Sequence, residues 1–384
     1  MTFETLWGEL DPVGRAPSGG YRRFAWTRED LTLREWFAAA AADRGLDVVE
    51  DRAGNQWAWW GSPDDDGPGV VAGSHLDSVP DGGAFDGPLG VVSALCAVDA
   101  LRERGFTPSR PIGVVNFGDE EGARFGVACA GSRLLTGALA PSRALALTDN
   151  DGLPMAEALQ AVGRAAPAAD PEALRRIGVF VELHVEQGRG LIELDAPVGV
   201  GTGIWPHGRW RVDFEGEANH AGTTRMADRR DPMLDYARLV LAAREVAERH
   251  GAVATCGKIR VEPNGVNAIP SRVTAWIDAR APQPEAVRRV MAQLPPSTEE
   301  SWTDETLFDD VLRARISGVL GDPPRLSTGA GHDAGVLSGQ GIPSAMLFVR
   351  NPTGISHSPA EFAERADCLA GVEALTAVLQ DLAT

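Results

Sequence analysis

Four short apolar runs constrain this chain more than anything else in it. Gly69-Val-Val-Ala, Ile112-Gly-Val-Val-Asn-Phe, Gly178-Val-Phe-Val-Glu-Leu and Pro343-Ser-Ala-Met-Leu-Phe-Val lack the alternation of a half-solvated strand. Each reads as a strand buried on both faces. Helical patterns, Pro88–Arg102 and Ala366–Leu382 among them, alternate with these runs. Such alternation favours an α/β sheet, in which ligands bind beyond the carboxyl ends of the strands. Each run also hands over to residues that can hold a cation at that same end. His75 and Asp86 follow the first, Glu121 the second, His184 closes the third and His357 lies beyond the fourth.

The stretch Gly73–Gly87 shows how such a site is built. His75 offers an imidazole at the strand end. Asp77 lies two residues on, on the same side of an extended chain, and can orient a ring nitrogen of His75. Gly82, Gly83 and Gly87 leave little hindrance to folding the Asp86 carboxylate back toward His75. After the second strand come Asp119-Glu120-Glu121-Gly122. Two adjacent glutamates at a strand end point different ways, so one can bind a cation while the other stays unliganded as a general base.

With 384 residues the chain is long enough for two domains. No run reaches the length of a membrane span, and the N-terminus shows no positive-then-apolar export pattern, so a cytoplasmic protein is expected. The formal net charge of −18 opposes binding to nucleic acid or an anionic membrane. Cys96, Cys129, Cys256 and Cys368 are scattered without a paired spacing; Cys96 and Cys129 read as small buried hydrophobes.

Residues 1–45 read as helical, with Thr27-Arg-Glu-Asp as a cap. Past Gly201-Thr-Gly-Ile-Trp-Pro206 the character changes. Arg209–Glu217 alternates as an amphipathic strand, Asp231–His250 and Pro284–Leu294 are helical, and Lys258–Val261 and Ser271–Asp278 are further strands. That order suits a small α+β domain inserted into the first. Acidic Pro295–Glu305 reads as the linker that returns from it. The expected division is 1–206 with 305–384, and 207–304 between them.

His75-x-Asp77, Asp86-Gly, Asp119-Glu-Glu-Gly, Glu182-Leu-His184-Val-Glu-Gln-Gly, Asn219-His-Ala-Gly-Thr-Thr, Asn267-Ala-Ile-Pro, Asp278-Ala-Arg280, Gly331-His-Asp-Ala and Ser356-His357-Ser-Pro occur in one order. In that order they resemble the M20 amidohydrolases, above all the branch of allantoate amidohydrolase and N-carbamoyl-L-amino acid hydrolase. The resemblance runs from about residue 25 to the C-terminus. It implies a mixed-sheet catalytic domain of the di-metal aminopeptidase type, with a ferredoxin-like inserted domain serving as lid and dimer contact. It further implies two divalent ions per subunit, zinc, manganese or cobalt. His75 and His184 complete one site, Glu121 and His357 the other, and Asp86 bridges them. Asp77 stands behind His75, and Glu120 is the base that moves a proton from water to the leaving nitrogen.

By the same resemblance His220 stabilises the oxyanion, in its own or a neighbouring subunit of a homodimer. Arg280, assisted by Asn267, takes the substrate carboxylate, for which its planar fork is suited. Gln187 faces the carbamoyl group. His207 in the hinge loop and the backbone of Gly331 are further substrate contacts. His332 and Asp333 pack the loop behind the site. The sequence departs from the family pattern at Arg225, Ala268 and Ser271, which leaves the substrate open. The implied reaction is hydrolysis of a small ureido or N-carbamoyl compound with an α-carboxylate, releasing ammonia and carbon dioxide. An M20 exopeptidase or N-formyl or N-formimino amino acid hydrolase shares every ligand, and a relative that binds metal without catalysis is the third reading. The absence of a Gly-x-Ser-x-Gly elbow disfavours a serine hydrolase.

Overall fold

The computed structural model describes residues 2–384. The chain divides into two compact units: one runs through Thr202 and resumes at Leu307, and the other is Gly203–Thr306. The strands in chain order are β1 (Asp47–Glu50), β2 (Gln56–Trp60), β3 (Gly69–His75), β4 (Ile112–Phe117), β5 (Ile177–Val185) and β6 (Val198–Ile204). Then come β7 (His207–Glu215), β8 (Asn219–His220), β9 (Val253–Glu262), β10 (Ala268–Ile269), β11 (Arg272–Arg280) and β12 (Thr298–Thr303). The last are β13 (Thr306–Leu307), β14 (Arg325–Thr328) and β15 (Ser344–Val349).

The main sheet has the order β1-β2-β4-β3-β5-β15-β6-β13, with β14 also on β6. Its centre, β4-β3-β5-β15, is parallel throughout. The pairs β1–β2, β2–β4 and β15–β6 are antiparallel, which makes the sheet mixed. The four parallel strands are the four apolar runs. Every residue of β3, β4 and β15 is buried. Because they run the same way, their carboxyl ends share one edge of the sheet, and the loops that follow them meet there.

Helices Pro88–Glu103 and Arg365–Leu382 pack on each other and against this sheet around a core that includes Val70, Ala72, Val92, Leu95, Val114, Val181, Leu347 and Leu375. The first helix sits unusually close to the strands. A Cβ on Gly90 would overlap the Leu183 carbonyl oxygen and the Ser74 side chain, so only glycine lets the helix approach the ends of β3 and β5.

Residues 1–45 are not continuously helical. Helices Phe3–Leu10 and Arg28–Ala42 are separated by an irregular segment in which Tyr21 bridges Gly82. Pro12, Pro17 and the Gly19-Gly20 pair interrupt the pattern. Thr27 occupies the cap position without a side-chain capping bond, and Asp30 accepts from the N–H of Trp26, one residue ahead of the cap, rather than from Thr27.

The second unit is a four-stranded antiparallel sheet, β12-β7-β11-β9, with a two-stranded β8–β10 ribbon. Helices Pro232–His250 and Pro284–Ala292 cover one face through Leu239, Ala243, Val246, Val287 and Val290, which pack on Trp210, Val212, Ala275 and Ile277. The segment read as a linker, Pro295–Glu305, contains β12. Its Glu-rich composition hides an edge strand that pairs with β7 and sets Trp302 edge-on to Trp210, 6.2 Å between ring centroids.

Gly90→Ala is expected to lower unfolding stability by about 1–3 kcal/mol, the usual cost of an overpacked core position. Urea unfolding measures it; an unchanged midpoint would mean that the helix has slack against the strands.

Candidate metal centre

The loops beyond β3, β4, β5 and β15 bring His75, Asp86, Glu121, His184 and His357 together. Their donor atoms form two trios, His75–Asp86–His184 and Asp86–Glu121–His357, each with all its atoms within 4.8 Å of one another. Asp86 belongs to both. Its Oδ1 lies 3.6 Å from His75 Nε2 and 3.2 Å from His184 Nε2. Its Oδ2 lies 3.6 Å from His357 Nε2, which in turn is 3.6 Å from Glu121 Oε2.

The imidazoles are oriented by their other nitrogens. His184 Nδ1 faces the Val185 carbonyl at 2.9 Å, and His75 Nδ1 faces the Asp77 carbonyl at 3.2 Å and its carboxylate at 3.3 Å. A carbonyl only accepts, so each Nδ1 carries a proton, and in the neutral imidazole that a cation requires each Nε2 would present a lone pair. Asp77 does more than orient His75. It also accepts the backbone N–H groups of Glu120 (3.1 Å) and Glu121 (3.0 Å), joining the β3 loop to the β4 loop.

His75 Nε2, His184 Nε2 and Glu121 Oε1 are buried and make no hydrogen bond. Buried polar atoms are seldom left so, and imidazole nitrogens converging on a carboxylate are the donor set of zinc, manganese or cobalt. The residues fit a pair of divalent cations, with Asp86 offering one oxygen to each.

The electrostatics point the same way. Burial raises Glu120 and Glu121 well above the ordinary carboxyl range, and the carboxylates beside each add to it, Asp333 at Glu120 and Asp86 at Glu121. Burial would raise Asp86 too, but His184 and His75 hold it well below the usual value. Burial alone would strip the proton from His75, yet Glu120, Asp77 and Asp86 outweigh it. The pocket thus holds more carboxylate than its imidazoles can balance, a charge that bound cations would offset.

Glu120 stands beside this group, with Oε2 3.8 Å from His75 Nε2. It belongs to neither trio. Gln187 lies against the shared carboxylate, its Nε2 donating to Asp86 Oδ2 at 2.8 Å and to Ser356 Oγ at 3.2 Å. Gly331 is exposed just ahead of helix Asp333–Ser338, and a Cβ there would meet nothing within 4 Å. His332 stands edge-on to His184, 4.5 Å between centroids, with both ring nitrogens buried and unpartnered. Asp333 accepts from Ser132 Oγ, and burial pushes it up to about 8.

In the second unit the structure sorts the expected residues into two groups. His220 and Asn267 stand together on the β8–β10 ribbon, where the Ala221 N–H bonds the Asn267 carbonyl at 3.0 Å. His220 is exposed, and its Nδ1 accepts the Gly222 N–H at 3.0 Å. Arg280 and His207 are register partners at the other end of the sheet. The Arg280 guanidinium is held by Asp278 at 2.6 and 3.0 Å, and burial holds His207 below the ordinary imidazole value. Asn267 therefore does not stand beside Arg280. The nine residues of β11 separate them, roughly 25–30 Å at about 3.3 Å per residue.

Residues of the centre that sequence reading passed over are Glu182, Ser356 and Glu361. Glu182 accepts Ser74 Oγ (2.8 Å) and the Ala334 N–H (2.9 Å). Ser356 and Glu361 flank His357 within one motif and touch the Asp86 loop. The signal lay in Ser-His-Ser-Pro-x-Glu, where only the histidine had an evident chemistry.

Residues 71–381 match the family described as peptidase family M20/M25/M40. The chain is 39% identical to the N-carbamoyl-L-amino acid amidohydrolase of Geobacillus stearothermophilus, over 99% of this chain and 98% of that protein. It is 32% identical to the allantoate amidohydrolase of Escherichia coli K12, over 97% of this chain and 96% of that protein. The crystal structure of a hydantoinase/carbamoylase family amidase from Burkholderia vietnamiensis superposes with a TM-score of 0.91 at 31% identity, covering 100% of this chain and 97% of that one. The chain belongs to the M20 peptidase family. It is a hydrolase with that family's mixed α/β fold.

Asp86→Ala is expected to abolish binding of both cations, and His357→Ala to leave one. Metal analysis after loading with Mn2+ and desalting checks this. Two equivalents retained by the Asp86 variant would remove it from its shared position.

Proposed function

We propose that this protein hydrolyses the C–N amide bond of a ureido or N-carbamoyl compound bearing an α-carboxylate, with allantoate and N-carbamoyl-L-amino acids as the leading substrates. The observation that carries the proposal is the Asp86 carboxylate, with one oxygen on each of two donor trios, the first wholly buried and the second open to solvent at His357. The relatives named for allantoate and N-carbamoyl-L-amino acids support the substrate class.

His75, Asp86 and His184 would hold one divalent ion, and Asp86, Glu121 and His357 the other; zinc, manganese and cobalt all suit this set. Such ions supply Lewis-acid polarisation of the carbonyl and a water acidic enough to react near neutral pH. Glu120 takes a proton as the water oxygen bonds to the carbamoyl carbon. It then passes that proton to the leaving nitrogen as the C–N bond breaks. The carbamate released from a carbamoyl group falls apart to ammonia and carbon dioxide. Gln187, beside Asp86, faces the substrate's ureido end, and Gly331 offers backbone contacts.

Arg280, with His207 beside it, receives the α-carboxylate, and His220 and Asn267 stabilise the developing oxyanion. A small ureido acid cannot span the length of β11, so the two groups serve one substrate only if they come from different chains. We therefore read the protein as a homodimer joined through the second unit, a cytoplasmic enzyme. Leu234 (56% exposed), Leu241 (72%), Val253 (52%) and Ile259 (40%) on its outer helix and edge strand β9 support that contact surface.

Ammonia release measured across allantoate, N-carbamoyl, N-formyl and dipeptide substrates, with Mn2+, Zn2+ and Co2+ each supplied, tests the proposal. Cleavage of dipeptides alone would favour an exopeptidase. Glu120→Gln is expected to retain its metal but lose at least ~100-fold in turnover, the lower scale for a general base. Arg280→Ala should raise KM for carboxylated substrates with little change in kcat; an unmoved KM would take Arg280 out of the pocket.

A further inference from the structure

Four residues past His357 lies a buried carboxylate that binds the loop of Asp86. Glu361 is 4% exposed. Its Oε1 accepts the backbone N–H of Phe85 at 2.8 Å and of Asp86 at 3.0 Å. Its Oε2 lies 3.3 Å from Ser356 Oγ, which is 3.0 Å from Asp86 Oδ2. Gly83 makes room for it: a Cβ there would overlap the Glu361 side chain. The backbone at Gly83 is not in the left-handed region, so a side chain would be refused only by Glu361 and not by the backbone.

Asp86 and His357 come from loops about 270 residues apart, the separation of Ser356 from Asp86 being 270. Nothing in the sheet itself fixes the distance between them, since the strands end before either residue. Glu361 joins the two loops through two hydrogen bonds, from the Phe85 and Asp86 N–H groups, beside the Ser356–Asp86 contact and the edge-on Phe85–Phe362 ring pair. A carboxylate taking two successive backbone N–H groups holds that peptide segment in one orientation, and here the segment is the one that aims Asp86.

We propose that Glu361 is a positioning residue for the second cation: with Ser356 it sets Asp86 Oδ2 against His357, and without it the Asp86–Glu121–His357 site weakens while the His75–Asp86–His184 site persists. This rests on the two-cation reading above. Glu361 belongs to neither donor trio.

The test is a titration of the full-length apo-protein with Mn2+, followed by loss of the free-ion EPR signal, on wild type, Glu361→Ala, Glu361→Gln, Gly83→Ala and Ser356→Ala. The second equivalent is expected to bind about 10–100-fold more weakly in Glu361→Ala, the usual effect of removing a group that orients a ligand, with the first unchanged. Glu361→Gln keeps a carbonyl oxygen for the two N–H groups and should restore most of the second affinity. Gly83→Ala, which displaces the carboxylate without altering it, should behave like Glu361→Ala. In steady-state assays kcat should fall with the second ion's affinity at an unchanged KM.

Equal affinities for both ions in wild type and Glu361→Ala would overturn the proposal and leave the two-cation reading standing. A wild type that binds no second equivalent would overturn both. Should Glu361→Ala fail to fold by circular dichroism, Ser356→Ala and Gly83→Ala decide, and wild-type affinity for the second ion in both would overturn the proposal.

Discussion

One carboxylate sharing its two oxygens between two sets of donors is the contact on which the rest of this protein depends. Asp86 reaches His184 and His75 with one oxygen and His357 with the other. Neither trio is complete without it. A carboxylate can serve two cations in this way because its oxygens diverge, and in two-metal hydrolytic sites the ions lie roughly 3.5–4 Å apart, a gap one carboxylate spans.

The fold serves that contact by converging four strand ends. Parallel pairing of β4, β3, β5 and β15 puts the loops after them on one edge. Polar bonds then tie the loops to each other: Asp77 joins the first to the second, and Glu361 joins the first to the last. Apolar contact adds to this: Leu76 lies in the core, and Phe85 of the first loop stands edge-on to Phe362 of the last. Backbone conformation at the rim is correspondingly unusual. Asp119 and His357 have positive φ, 53° and 55°, which costs energy for a residue with a side chain and persists where the surroundings enforce it.

The second unit works by a different physics. Its sheet is antiparallel, covered by helices on one face and lined with charge pairs such as Arg209–Asp278 and Arg211–Asp213 on the other. Exposed pairs of this kind contribute little stability each, so the apolar layer beneath the helices carries the unit. Its polar residues are grouped at the two ends of long strands, which is how one unit can present different contacts to different places.

The donors that form the two trios were legible in the sequence because each ends or follows an apolar run, and a run buried on both faces reads as a central strand. The family motifs were legible for the same reason that chemistry is: histidine and carboxylate at fixed places in a loop have few other uses. Less legible were the parts whose meaning is spatial. Pro295–Glu305 looked like a linker because edge strands in contact with water keep polar sequences, so β12 carries no apolar signal of its own. The family resemblance pairs Asn267 with Arg280, and within one chain the strand β11 sets the two at opposite ends of a sheet. Glu361 carries no signal of its own in the sequence, and only the folded loops reveal that it is buried against Asp86. The sequence alone determined the strands, the order of the donors and their chemical type, since hydrophobic pattern and side-chain chemistry are local properties. The tertiary structure decided which donors share Asp86, which loop holds which, and where each polar residue of the second unit lies, because these are distances between segments far apart in the chain, set by strand pairing and packing.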